Sequence, residues 1–319
     1  MITAYQLQNN RIKITQLGLN DVLPSDTVWL DVVEPSEAER SWLDNYYVEE
    51  VPDSDDLYEI EASSRFYQDK DGLHITSFFP HRSGKEVRNT SVSFNLRPHL
   101  LITLRDDEVG LFRLVRNYLK RQHIEISSPM AILTALFTSK VDYLADLLEE
   151  VYESLEAVSE MTLREDTNDQ TRDTALKDIA LQEDLNGKIR LSLLDSQRSL
   201  RYLVRNRRIR MADQHQQEIM EMLRDIDSLL PHTAFLFDKI NFLQEAVMGF
   251  INLEQNKIIK IFSVMATVFM PPTLIASSYG MNFANMPELG WDFGYPAAIA
   301  LMILSGLSTY WIFKLKGWL

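Results

Sequence analysis

Counted from Asn256, the residues Ile259, Ser263, Ala266, Met270, Thr273 and Ser277 recur at alternating intervals of three and four, so on a helix they share one stripe. The stripe carries a carboxamide, hydroxyls and two bulky apolar groups, and no Asp or Glu occurs from Gln255 to Pro287. Neutral oxygens in such a row can hydrogen-bond a hydrated cation without capturing it, while Ile259 and Met270 would constrict a water-filled path and gate it by dewetting. The same stripe serves equally as a packing face, because small residues let membrane helices approach closely. Both readings stand on the residues alone. The stripe runs into Tyr279-Gly280-Met281-Asn282-Phe283, and the chain continues through Met286-Pro287-Glu288-Leu289.

A second set of residues concentrates negative charge. Asp53, Asp55, Asp56, Glu59 and Glu61 lie in one short segment, and Glu149, Glu150, Glu153, Glu156 and Glu160 in another. Such runs ordinarily form solvated faces. At contacts between copies they would repel, and bound divalent ions would relieve the repulsion and couple metal concentration to assembly state. The 32 basic and 46 acidic residues give a net charge of −14, the wrong sign for a protein that gains affinity by neutralising phosphates, so a nucleic-acid partner is not expected. The chain has no Cys, which removes disulfides, thiolate metal sites and thiol nucleophiles, and its six His residues are scattered. No His-Glu-x-x-His, Gly-x-Ser-x-Gly or P-loop pattern occurs, so an enzyme is not expected either.

These groups need elements to hold them. Residues Ile261–Tyr279 and Phe293–Phe313 are uncharged runs of 19 and 21 residues, long enough as helices to cross a hydrocarbon core of about 30 Å. Lys257 and Lys260 precede the first run and Lys314 and Lys316 follow the second, whereas the loop at 280–292 carries Glu288 and Asp292 but no Lys or Arg. The positive-inside rule then places both ends of the chain in the cytoplasm, and the polar start of the sequence argues against a cleaved signal peptide. Ahead of the membrane part, RIKITQL, TVWLDVV, LHITSFF, TSVSFNL and LLITLR read as strands, the last two as a hairpin around Arg97-Pro98-His99. Residues 35–47 and 107–123 read as helices, followed by long amphipathic helices from Ser128 to about Glu165 and from about Arg172 to Met211. From Ile219 a ladder of Leu223, Ile226, Leu230, Thr233, Phe237, Ile240, Gln244, Val247 and Ile251 leads toward the first span, with Pro231 either kinking it or starting a helix.

The expected fold is an α+β membrane protein. An N-terminal cytoplasmic α/β domain (1–126) precedes a long helical hairpin and a stalk helix (127–255). The stalk is continuous with the first of two C-terminal transmembrane helices in a membrane domain (256–319), with spans at about 259–279 and 293–313 and a cytoplasmic tail at 314–319.

The order Tyr-Gly-Met-Asn-Phe at the outer end of the first span, Met-Pro-Glu-Leu in a short acidic loop and a Lys-rich end resembles the CorA family of divalent-cation channels. GFINLEQNKIIKIF, MPPTLIASSYGMNF and the final KGWL resemble the CorA branch of that family. The resemblance implies a homopentamer in the inner membrane, with the lipid bilayer, divalent cations and further copies of the chain as its partners. It also implies a selectivity filter formed by Tyr279, Gly280, Met281 and Asn282, pore lining by the stripe, and Glu288 at the outer mouth. Mg²⁺ would be both the transported ion and a regulatory one, with Co²⁺ and Ni²⁺ as competitors and no organic cofactor. Mg²⁺ gives up its water reluctantly, so a ring of Asn282 carboxamides and Gly280 carbonyls would select the hydrated ion by size and geometry. The family's intersubunit regulatory site implies Glu59 as one ligand and Asp225 as the other, with Asp227 close by. Glu59 stands where the family usually has the shorter acid, and the stalk spacing differs. Two alternatives remain: a Zn²⁺ transporter of the same superfamily, and a membrane-tethered coiled-coil or sensory protein that conducts nothing.

Overall fold

The computed structural model describes residues 1–8, 11–47, 65–70, 72–84, 86–121, 128–163, 169–206, 211–281 and 286–317. They divide into two compact units, Met1–Gln244 and Glu245–Leu319.

In the first unit seven strands form one sheet: β1 (Ile2–Gln8), β2 (Arg11–Leu17), β3 (Thr27–Val33), β4 (Phe66–Gln68), β5 (Leu73–Ser83), β6 (Glu86–Leu96) and β7 (Leu101–Arg105), in the order β2-β1-β3-β7-β6-β5-β4. Among the described residues only β3 and β7 run parallel; β6 and β7 form the expected hairpin with Leu96 opposite Leu101. β1 was not legible from the sequence. Its ITAYQLQ mixes polar and apolar residues without clean alternation, yet Ile2 to Gln6 are all buried, because β1 lies between β2 and β3 and is covered on both faces.

Helix α1 (Glu37–Asp44) closes one face of the sheet, packing Trp42 and Leu43 against Ile2, Ala4, Leu30, Val32, Ile102 and Leu104. Ser36 caps it. The Ser36 hydroxyl accepts from the Glu39 N–H and the Glu39 carboxylate accepts from the Ser36 N–H, which is why the helix starts just after Pro35. On the other face lie α2 (Gly110–Lys120) and the long pair α3 (Pro129–Leu163) and α4 (Asp169–Arg205). Phe79 of β5 meets Phe94 of β6, Phe112 of α2 and Phe137 of α3 at centroid distances of 5.6, 5.5 and 5.8 Å, a cluster that locks helices onto sheet.

Two buried ion networks reinforce this layer. In the first, the Asp31 carboxylate pairs with Arg105 and accepts from the Thr103 hydroxyl at 2.8 Å, which in turn accepts from Trp29 Nε1 at 2.9 Å. Burial and the Asp31 charge push the Tyr5 hydroxyl up, so Tyr5 stays protonated. In the second, Asp195 of α4 accepts from the Ser77 hydroxyl at 2.5 Å and the Phe78 N–H at 2.8 Å, and lies 2.7 Å from Arg65 and 3.6 Å from Lys140 of α3. Lys140 is wholly buried over the Phe79 ring, and burial pulls its ammonium down to about 8. The sequence shows its position: Phe137, Lys140, Val141 and Leu144 share one helix face, the one turned inward.

Helix α5 runs unbroken from Asp213 to Tyr279, about 100 Å at 1.5 Å per residue. It neither starts nor stops at Pro231, although that residue has no N–H for the Asp227 carbonyl. Its buried line is Ile219, Leu223, Ile226, Thr233, Leu236, Ile240, Leu243 and Val247, with Leu230 half-buried. The expected ladder therefore holds as far as Thr233, and beyond it keeps Ile240 and Val247 but loses Phe237 and Gln244. Two successive steps of three, Leu230 to Thr233 to Leu236, replace the alternation, and Phe237 (47% exposed) and Gln244 turn outward.

In the second unit α5 is joined through a 3-10 turn (Pro287–Gly290) to α6 (Gly294–Leu315). Gly317, just past the Lys316 cap, takes a left-handed φ of 67°, the conformation that ends many helices at glycine.

Candidate functional site

Helices α5 and α6 contain apolar windows of mean hydropathy 1.8 and 1.6, and none of either window is buried within the chain. A core helix of a water-soluble protein would bury such a window, so these surfaces are made for another apolar medium or for other copies of the chain.

The two helices meet at Gly306. A methyl group there would lie 3.4 Å from Pro272 Cγ and 3.7 Å from the Val268 carbonyl, ordinary contact distances, so only a small residue fits between α6 and α5 at this point. The less exposed residues of this part of α5, Val264, Val268, Pro271, Pro272 and Ile275, mark the packed face. At 100° per residue the stripe of Asn256, Ile259, Ser263, Ala266, Met270, Thr273 and Ser277 points the opposite way. All seven are exposed, Ile259 at 61% and Met270 at 68%. The tertiary structure thus brings the whole sequence-derived stripe onto one surface that the chain itself leaves uncovered.

The hydroxyl chemistry of this helix is directional. Thr273 donates its proton to the Phe269 carbonyl at 2.7 Å, and Thr267 and Ser278 likewise donate to Ser263 and Leu274 at 2.8 and 2.9 Å. With its proton spent on the backbone, the Thr273 oxygen offers lone pairs outward. The water shell of a cation presents hydrogens, so acceptors on this face suit a hydrated cation and repel a hydrated anion.

The helix ends at the motif. Gly280 N–H donates to the Ala276 carbonyl at 2.9 Å, and Met281 N–H reaches the Ser278 carbonyl at 3.4 Å. A Cβ on Gly280 would lie 3.2 Å from the Ala276 carbonyl oxygen, tighter than ordinary contact, so a side chain there would disturb the last turn. Tyr279 and Met281 are exposed beside it. Asn282 lies outside the described residues, as does the side chain of Glu288, whose backbone is in the 3-10 turn. At the far end of the apolar stretches, Lys314 lies over the Trp311 ring at 5.8 Å.

The expected regulatory residues fare differently from one another. Glu59 lies outside the described residues. Asp225 is exposed on α5 and close enough to Asp142 of α3 to act on it; burial first, then the charges of Asp146 and Asp225, raises the Asp142 carboxyl. A cation would relieve that repulsion. Asp227 instead accepts from Gln197 Nε2 at 2.5 Å and lies 3.7 Å from Arg201, so it ties α5 to α4. Among the described residues of one chain, no three His, Asp or Glu side chains form a metal-holding group. In the acidic row of α3, Glu150 pairs with Arg82 at 2.5 Å. The sequence reading missed Asp142 and Asp146, whose i, i+4 spacing on α3 was the available signal.

Comparison with known proteins matches residues 24–315 to the model of the CorA-like Mg2+ transporter protein family. The magnesium transport protein CorA of Yersinia pestis is 47% identical over 320 residues, and that of Escherichia coli (strain K12) 46% identical over 321 residues, each covering 100% of both chains. The solved CorA magnesium transporter from Methanocaldococcus jannaschii superposes with a TM-score of 0.74 at 17% identity, covering 100% of this chain and 99% of that one.

Proposed function

Because the chain belongs to the CorA-like Mg²⁺ transporter family, we propose that it carries Mg²⁺ into the cell through a pore assembled from identical copies, with α5 of each copy lining the axis. Two membrane helices cannot enclose a pore, so the site is incomplete without other copies; five is the number implied by the family resemblance. The observation that carries this reading is the stripe from Asn256 to Ser277, uncovered and opposite the face that packs on α6. An alternating polar and apolar stripe facing lipid would waste its oxygens, whereas around an axis it gives acceptor rings separated by constrictions at Ile259 and Met270.

Tyr279, Gly280, Met281 and Asn282 form the outer filter in this reading, and Glu288 raises the local cation concentration at the mouth. The ion passes with its inner water shell intact. Both ends of the chain lie on the cytoplasmic side of the inner membrane, and an inside-negative potential draws a divalent ion inward with about 4.6 kcal/mol per 100 mV, so no nucleotide hydrolysis is needed. Co²⁺ and Ni²⁺, similar in hydrated size, compete. Cytoplasmic Mg²⁺ closes the pore by bridging Asp225 of one copy and Glu59 of another, with Asp227 holding the stalk in register beside it.

Uptake into liposomes under an imposed inside-negative potential tests the reading. Mg²⁺ flux blocked by Co²⁺ and Ni²⁺, and strongly reduced by Asn282→Ala, is the expected result. Zn²⁺ flux exceeding Mg²⁺ flux would move the chain to the zinc reading, and no flux of any divalent ion would overturn conduction altogether.

A further inference from the structure

In a chain of net charge −14, one concave surface is lined by cations. It lies between the β1–β2 edge of the sheet and α2, encloses about 420 Å³, and belongs to none of the groups assigned to ion passage. Its helical wall carries Arg113, Arg116 and Lys120, spaced three and four apart and so on one face of α2, with Asn117 among them. Its sheet wall presents exposed Ile14 and Gln16 over buried Thr3 and Tyr5.

The charge balance of this region is positive. Asp31 and Glu108 are the carboxylates in contact with these cations, and they face Arg105, Arg113 and Arg116. Lys120 and the Met1 ammonium, which pairs with Glu39 at 3.1 Å, complete the set, so five cations stand against three carboxylates. Arg116 is fixed by its pairs with Glu108 and Asp31, a rigid charge at the back of the cleft. Arg113 is 67% exposed and 3.9 Å from Glu108, too far for a close pair, and Lys120 is exposed at the rim. Beneath this wall Tyr5 stacks on buried Trp29 at 4.4 Å.

We propose that this cleft binds a small organic phosphate, with its phosphate group held by Arg113, Lys120 and the Asn117 amide in front of Arg116, and its carbon skeleton on Ile14. Guanidinium and ammonium donors converging on an exposed concavity suit a multiply charged phosphate, since each charge-assisted bond exceeds a neutral one in strength. The volume suits a mononucleotide-sized ligand. The proposal stands apart from ion conduction: the full-length protein can bind the phosphate whether or not it transports Mg²⁺.

The test is calorimetric titration of the full chain in detergent, at fixed ionic strength with EDTA present, using inorganic phosphate, AMP and ATP as probes. Saturable binding of AMP or ATP near one per chain is expected. Each of Arg113→Gln and Lys120→Gln should weaken it about tenfold, the equivalent of one charge-assisted contact, and the double variant should abolish it. Both side chains are exposed, and a thermal unfolding temperature equal to that of the unsubstituted protein confirms that the variants fold. A Lys314→Gln/Lys316→Gln variant, which removes basic charge elsewhere, should bind normally. Binding that survives the Arg113/Lys120 double variant, falls equally in the Lys314/Lys316 variant, or is absent with all three probes overturns the proposal. Inorganic phosphate binding as tightly as AMP overturns its organic half.

Discussion

Replacing Asp195 by Ala removes a carboxylate shared by two buried cations. Arg65, 7% exposed, loses its partner at 2.7 Å; Lys140, fully buried, loses its own at 3.6 Å; and the Ser77 hydroxyl and Phe78 N–H lose their acceptor. Breaking a buried pair from one side costs about 3–5 kcal/mol. In a unit of roughly this size that lowers the thermal midpoint by about 6–20 °C, at 2–4 °C per kcal/mol.

The pH dependence distinguishes this mechanism from a simple cavity. In the intact protein Lys140 titrates at about 8, below its ordinary 10.5, so the fold binds fewer protons than the unfolded chain between these values and its stability rises with pH across that window. Below about pH 8 this group gives no further change. Without Asp195, the attraction that sustains the ammonium is gone and its titration moves lower still. The variant therefore starts gaining stability at a lower pH, and its deficit should narrow as the pH rises toward 8 and stay constant above. Fluorescence of buried Trp29 in the full-length protein follows the transition. The Asp195→Ala/Lys140→Met double variant should lose the narrowing. A midpoint within 2 °C of the unsubstituted protein at pH 7, or a deficit that does not change from pH 6 to 9, would refute this account of the network.

Other outcomes follow from the same structure. Gly306→Ala adds a methyl group at ordinary contact with Pro272, so flux and oligomer size should hardly change, whereas Gly306→Leu should force α6 off α5 and shift the size-exclusion profile of the detergent-solubilised protein. In the proposed pore, Met270→Ser would replace an apolar constriction with an acceptor and should raise Mg²⁺ uptake into liposomes severalfold with little change in the thermal midpoint, because the 68%-exposed side chain has little packing within the chain to lose. Asp142→Asn removes a carboxyl whose pKa is raised by burial and by Asp146 and Asp225. A raised carboxyl disfavours the fold once ionised, so at pH 7 the variant should unfold no earlier than the unsubstituted protein, and the stabilisation by added Mg²⁺ should shrink. An earlier midpoint for Asp142→Asn would contradict that sign.

What the sequence alone determined was whatever local periodicity and covalent composition fix. Alternating apolar residues marked β2, β3 and β5 to β7; uncharged runs of 19 and 21 residues marked the membrane-length helices; three-four spacing marked the stripe from Asn256 to Ser277. β1 escaped because a central strand covered on both faces need not alternate. The tertiary structure decided everything that depends on where one helix face meets another. It turned the stripe away from α6 through the approach at Gly306, moved the buried line of α5 from Phe237 to Leu236, and engaged Asp227 with Gln197. It also joined Asp195 to Arg65 and Lys140, residues far apart in the chain. Spacing along a chain states which residues share a face, but the partner of that face is set by packing, which no single helix encodes.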